Sequence, residues 1–276
     1  MRSLEINPEI AVSRICKFIV KRVDDAKANG IIVGLSGGID SSVTVALCVR
    51  ALGPKNTFGL IMPTQTTLQQ DIDDAIKVAT LFSVKYTIEE ISPLLNAYKQ
   101  FQVFDPERKI ANGNLAARSR MCLLYYHANL FNLLVAGTGN KSELLVGYFT
   151  KFGDGGCDIL PLGDLYKKQV RQIAEYLDIP PEIIHKAPSA GLWPGQTDED
   201  ELGIKYDDLD LILSGFEQLM SPEEISKELD FPLELIRRVE NMLRRSEHKR
   251  RGPMIFKMGS RTPGFDWRTS ISSVET

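Results

Sequence analysis

The chain has 276 residues, enough to bury a substantial core in one large domain or two small ones. Hydrophobic residues make up 43%, charged residues 25%, and the net charge is −3, so bulk electrostatics calls for neither nucleic acid nor an anionic membrane. Cys16, Cys48, Cys122 and Cys157 are scattered, with no CxxC pair and no histidine at metal-ligand spacing, which argues against a zinc site or a disulfide framework.

The first twenty residues lack the uninterrupted apolar run and small-residue cleavage site of a secretory signal. No stretch approaches the length of a membrane span, so a cytoplasmic protein with no membrane partner is expected. Residues 8–28 carry Ile10, Val12, Ile15, Ile19, Val20 and Val23 at roughly helical spacing and predict an amphipathic helix that ends before Gly30. Four short runs then read as strands: "IIVGL" (31–35), "TFGLIM" (57–62), "VKYTI" (84–88) and "LLVAG" (133–137). Helical patterns separate them. This alternation predicts an α/β fold, an open doubly wound parallel sheet with helices on both faces. Beyond residue 137, glycine, aspartate and proline crowd into 148–163 and 187–203, which read as long loops. C-terminal helices are expected at 164–177, 207–219, 222–229 and 232–246. No repeat, low-complexity tract or interdomain linker is visible, so 1–276 reads as a single domain.

The first strand runs into "GLSGGIDSS", residues 34–42. Gly37 and Gly38 allow backbone geometries that a Cβ would block, so consecutive N–H groups could converge on an anion where the next helix begins. Ser36, Ser41 and Ser42 add hydroxyl donors. The same residues also fit a tight turn, with Asp40 merely favouring a helix N-terminus. The lysine of the GxxxxGK[ST] phosphate loop is absent, since Ile39 and Asp40 follow Gly38. An acid beside phosphate oxygens requires a cation between them, which assigns Asp40 to Mg2+.

"SGGIDSS" after an apolar strand resembles the pyrophosphate loop of the ATP-pyrophosphatase superfamily, which cleaves ATP to AMP and pyrophosphate by adenylating an oxygen of a second substrate. Four further segments, "GNLAARSRM" (113–121), "AGTGNKSELLVGYFTKFGDGGCDILPLGDLYKKQVR" (136–171), "SAGLWPGQTDEDELGIKYDDLD" (189–210) and "EHKR" (247–250), are similar to successive parts of the NAD synthetase family. The resemblance runs from the first helix to about residue 252. It implies ATP-dependent amidation of deamido-NAD with ammonia, giving NAD, AMP and pyrophosphate through an adenylated intermediate, the last step of NAD biosynthesis. No room remains for the amidase domain of glutamine-using relatives, so free ammonia is the expected donor.

By the same resemblance, Gly34, Leu35, Ser36, Gly37, Gly38, Ile39, Asp40, Ser41, Gln70, Thr138, Lys167 and Ser189 contact ATP. Glu143 joins Asp40 as the second magnesium ligand, and Asp40, Glu143 and Lys167 form the catalytic set. Arg118, Lys151, Asp158, His248 and Lys249 contact the dinucleotide. Read without the resemblance, Arg118 and Arg120 would be a solvated helix face, Glu143 a surface acid, and "RRSEHKRR" (244–251) an exposed basic helix end or a nucleic-acid patch. The basic run leaves RNA modification by the same adenylation chemistry as a rival, and a non-catalytic nucleotide sensor as a third reading; no nucleic-acid partner is expected. Two positions depart from relatives: Ile61 stands where some bacterial members carry arginine, and Gly191 where many carry aspartate. The resemblance also implies a homodimer with sites shared between subunits, and residues 190–203 are expected to form a lid over the substrates.

Overall fold

In the computed structural model, residues 3–193, 195–263 and 266 are described. Strand β1 (Gly30–Gly34) buries Gly30, Ile31, Ile32 and Val33 in succession, as a strand covered on both faces must. It is flanked in parallel by β2 (Thr57–Ile61), which pairs Ile31 with Thr57, and by β4 (Leu133–Ala136), which pairs Ile31 with Leu134. β3 (Lys85–Ile88) lies outside β2, giving the all-parallel order β3-β2-β1-β4. The direction of winding therefore reverses between β1 and β4. That switch point opens a crevice beyond the carboxyl ends of the two strands, where ligands of such sheets bind.

Side chains alternate across β1. Ile31 and Val33 join a core with α1 (Pro8–Asp25), α2 (Ile39–Leu52), α3 (Gln69–Leu81) and α7 (Lys167–Tyr176) through Val12, Leu47, Val78 and Ile173. Ile32 faces the other way, into a core with α4 (Ser92–Tyr98) and α5 (Lys109–Phe131). Each fully buried aliphatic of this kind contributes roughly 1.5–3 kcal/mol of transfer free energy. Beyond β4, α6 (Lys141–Val146), α10 (Tyr206–Glu217), α11 (Pro222–Leu229) and α12 (Leu233–Arg250) share a third apolar cluster around Tyr206, Ile212, Ile225 and Ile236.

The doubly wound α/β fold and the C-terminal helices match expectation, and four local features differ. The first helix stops at Asp25, where Ala26 caps it. The predicted last helix extends to Arg250, which places His248 and Lys249 on its final turn. Short α8 (Pro181–Ile184) follows α7. Inside the expected 187–203 loop sits α9 (Asp198–Leu202), because Thr197 caps the Asp200 amide and four successive acids favour a helix N-terminus. No helix among the described residues is long and apolar enough to cross a membrane.

Candidate active site

The chain leaves β1 through Leu35 and Ser36 and turns at Gly37, whose φ is +76°. A Cβ on Gly37 would stand 2.2 Å from the Asp71 carbonyl oxygen, so only glycine fits this approach. Gly38 is the N-cap of α2 and brings no side chain to its first amides. The Ser41 and Ser42 hydroxyls turn back onto the Gly38 carbonyl at 3.0 and 2.8 Å, leaving the amides at the helix start open to an anion.

Three helix N-termini converge on this point. Asp40 is the second residue of α2, Glu143 the third of α6, and Lys167 the first of α7. A lysine at a helix N-terminus opposes the helix dipole and needs compensation. Lys167 obtains it: its Nζ lies 2.5 Å from Asp40 Oδ2, 3.3 Å from Glu143 Oε1 and 5.0 Å from the centre of the Tyr206 ring. Burial alone would lower its pKa, but the two carboxylates outweigh burial and hold it above the usual lysine value. Burial, then the charge of Asp40, pushes Glu143 well above the usual carboxylate range. Asn140, fully buried, caps α6 by accepting the Glu143 amide at 3.0 Å.

These residues form one end of a cavity of about 810 Å3 that runs from the β1 loop past Thr138 to α5 and the 187–203 segment. Four further acids line it, Asp71, Asp154, Asp198 and Glu201, and two of them are shifted by burial. Burial raises the pKa of Asp154, which accepts the Thr150 amide at 2.9 Å. It also raises that of Asp198, whose buried Oδ1 has no partner among the described residues. Asp40 and Glu143 both reach one cationic nitrogen, so a hard divalent ion bridging them fits the donor set. Among the described residues no group of three or more His, Cys, Asp or Glu side chains converges as a metal centre. Two carboxylates suit a hard divalent cation such as Mg2+.

A profile of the NAD synthase family matches residues 11–253. The chain belongs to this family. An NH3-dependent NAD+ synthetase of Methanocaldococcus jannaschii is 54% identical over 250 residues, covering 89% of this chain and 95% of the relative. Among solved structures, the NMN synthetase of Francisella tularensis aligns with a TM-score of 0.82 at 36% identity, over 92% of this chain and all of the other. The NH3-dependent NAD synthetase of Campylobacter jejuni, solved with a nitrate ion, aligns at 0.77 and 33% identity, over 91% of this chain and all of the other.

In this NAD synthase fold, Gly34, Leu35, Ser36, Gly38, Ile39, Asp40, Ser41, Thr138, Glu143, Lys167, Ser189 and Lys249 line the cavity. Gly37 packs against the Asp71 carbonyl and Gln70 donates to Asp74 Oδ1 at 2.7 Å, both outside the lining. Three candidate dinucleotide contacts meet one another outside the lining: Arg118 donates to the Lys151 carbonyl at 3.3 Å, and Lys151 Nζ to the His248 carbonyl at 2.6 Å. Asp158 is engaged elsewhere, accepting the Val135 amide of β4 at 2.8 Å and the Tyr125 hydroxyl at 3.0 Å. Of the two departures, Ile61 is a buried end of β2, and Gly191 has φ +59°, a left-handed conformation that glycine adopts most readily. Lys186, which pairs with Asp71 and Asp74 at 2.6 Å each, also lines the cavity and was not singled out by the sequence, nor were Asp154 and Asp198. Their signal was weak, since loop acids and lysines are ordinarily solvated. Arg120 had a better one: two residues from Arg118, it falls about 200° around the helix, so one of the pair must face inward.

Proposed function

We propose that this chain is an ammonia-dependent NAD+ synthetase, a ligase that adenylates the nicotinate carboxylate of deamido-NAD and then replaces AMP with ammonia. The observation that carries the reading is the meeting of Asp40, Glu143 and Lys167 beside the open amides at the start of α2. A nucleotide triphosphate bound there rests its β- and γ-phosphates on the Gly34–Ser41 loop, with Thr138 and Ser189 on the cavity wall alongside. Asp40 and Glu143 would hold Mg2+, which supplies Lewis-acid charge to the phosphate oxygens when bound.

A carboxylate oxygen of the substrate bonds to the α-phosphorus as the bond to the pyrophosphate oxygen breaks, and pyrophosphate is left in the amide cradle. Ammonia then attacks the acyl carbon, AMP leaves, and the nitrogen sheds a proton. Lys167 keeps its charge next to the departing pyrophosphate throughout. The 187–203 segment, which already forms part of the cavity wall, shields the adenylate from water. We read residues 1–276 as one synthetase domain, supported by the packing of α6 on α12 and α7 on α10. A homodimer accords with the exposed Tyr126, Leu130 and Phe131 on α5, and a cytoplasmic setting with four unpaired cysteines.

The test incubates the purified chain with ATP, Mg2+, ammonium and deamido-NAD and follows NAD and AMP together. Equimolar formation of both is expected. A parallel arm with nicotinate mononucleotide addresses a second reading, favoured by the NMN synthetase likeness, in which the smaller nucleotide accepts the amide. AMP formation driven by tRNA, with no NAD, would overturn both.

A further inference from the structure

Among the described residues, four cationic side chains line the cavity: Arg120, Lys167, Lys186 and Lys249. Lys167 is neutralised by Asp40 and Glu143, and Lys186 by Asp71 and Asp74. Lys249 gives its ammonium to the carbonyls of Gly147 and Phe149 at 2.7 and 2.8 Å. Arg120 is held at one atom only. Its Nε donates to the Met62 carbonyl at 3.0 Å, and among the described residues neither terminal nitrogen has a protein partner. No carboxylate of a described residue lies within ion-pair distance, although Asp154 lines the same cavity.

A half-buried guanidinium whose nearby counter-charge, Asp154, stays beyond ion-pair distance carries a desolvation cost, and burial pulls its pKa down further than Asp154 raises it. Nature ordinarily resolves such a cost with an anion. The Nε bond fixes the plane of the fork and leaves the two outer N–H groups as a parallel pair, the geometry that matches two oxygens of a phosphate or carboxylate. Its location narrows the choice. Met62 directly follows β2, whose Leu60 pairs with Gly34 of β1, and an added Cβ on Gly34 would meet the Met62 methyl at 3.4 Å. The fork therefore stands one strand away from the amide cradle, on the α5 side of the cavity. With β- and γ-phosphates in the cradle, the next anionic group along the nucleotide is the α-phosphate.

We propose that Arg120 is a catalytic residue that grips the non-bridging oxygens of the ATP α-phosphate and keeps hold of that phosphate in the adenylate. This rests on the adenylation reading above. As the carboxylate oxygen bonds to phosphorus and pyrophosphate departs, no proton moves at Arg120. Its charge stays on the same two oxygens from ATP to AMP, offsetting the repulsion between two anions brought into contact. The Nε bond to Met62 keeps the fork from rotating away.

AMP carries the proposed phosphate and adenosine lacks it, so calorimetric titration of both isolates the contact without turnover. Wild-type protein should bind AMP at least about tenfold more tightly than adenosine. R120M should lose that preference while holding adenosine within about twofold, and R120K should retain part of it. In deamido-NAD-dependent ATP–pyrophosphate exchange, R120M should fall at least about 100-fold. Melting curves identify a variant that has lost its fold, in which case the AMP-to-adenosine ratio is read in R120K. A wild-type protein indifferent to the phosphate, or a folded R120M with the preference intact, overturns the proposal. Normal wild-type exchange with unchanged exchange in R120M overturns the Arg120 assignment alone. Absence of wild-type exchange despite a clear AMP preference overturns the adenylation reading and the catalytic role with it.

Discussion

Asn140 donates from its side-chain amide to Asp40 Oδ1 at 2.9 Å, across 100 residues of sequence. Its own Oδ1 accepts the Glu143 amide at 3.0 Å, and Glu143 Oε2 accepts the Asn140 amide at 3.2 Å. One buried residue thus touches both candidate metal ligands, Asp40 through its side chain and the Glu143 carboxylate through its backbone N–H, while closing a capping box at the start of α6. Asn140→Ala removes the cap and leaves Asp40 with one fewer donor, at a cost of about 2–4 kcal/mol in urea denaturation. The concentration of Mg2+ needed for half-maximal activity should rise as well. An alanine variant with unchanged metal requirement would show that Asn140 does not align the pair.

Asp40→Asn and Glu143→Gln keep shape and remove one negative charge each. Either should reduce turnover at least about 100-fold, and chelation of divalent ions should do the same to the wild type. Stability should respond differently. Because burial and the neighbouring Asp40 disfavour the ionised form of Glu143, a neutral amide is the easier group to bury there. The Glu143→Gln variant should melt no earlier than the wild type, and near-normal activity in either variant would refute the metal assignment.

Gly37 offers a test of the cradle that leaves its charges alone. At φ +76°, with the Asp71 carbonyl 2.2 Å from the position of a Cβ, Gly37→Ala must move either the β1 loop or the start of α3. Backbone strain of about 1–3 kcal/mol is expected, together with a loss of ATP affinity larger than any loss of deamido-NAD affinity. Equal weakening of both ligands would mean that the loop does not hold the triphosphate.

The strands were legible as short runs with turn residues at their ends, and the parallel, doubly wound arrangement followed from helices filling every gap, whereas the order β3-β2-β1-β4 was not read from the sequence. The β1 loop stood out as a candidate anion cradle because acid and hydroxyls followed two glycines. What remained hidden depends on distance in sequence. Nothing in "IDSS" tells that Asn140 will bond Asp40, and Lys167 at the start of α7 looks like a misplaced charge until Asp40 and Glu143 surround it. Asp158 carries another tie that its glycine-rich loop did not signal: its carboxylate accepts the Val135 amide on the open edge of β4. Sequence pattern reports which side chains could do chemistry, and only the fold decides which are occupied by their own backbone.

Asp210 yields a prediction in pH. Fully buried on α10, it accepts the Ser142 hydroxyl and the Lys168 amide, the latter at 2.9 Å, and so ties α10 to the helix starts that carry Glu143 and Lys167. Burial outweighs these donors and pushes its pKa up to about 6 from 3.8. The folded protein therefore retains a proton that the unfolded chain has already lost between those values. Stability from this group is highest below the unfolded pKa and declines as pH rises through the window, by roughly 3 kcal/mol when complete. Asp210→Asn has no proton to lose. Its stability relative to the wild type should rise by up to roughly that amount between pH 4 and pH 7, measured by denaturant unfolding at each pH. Any fixed cost of the exchanged hydrogen bond shifts the difference without sloping it. A difference that stays flat, or falls as pH rises, would mean that Asp210 is ionised as easily in the fold as outside it.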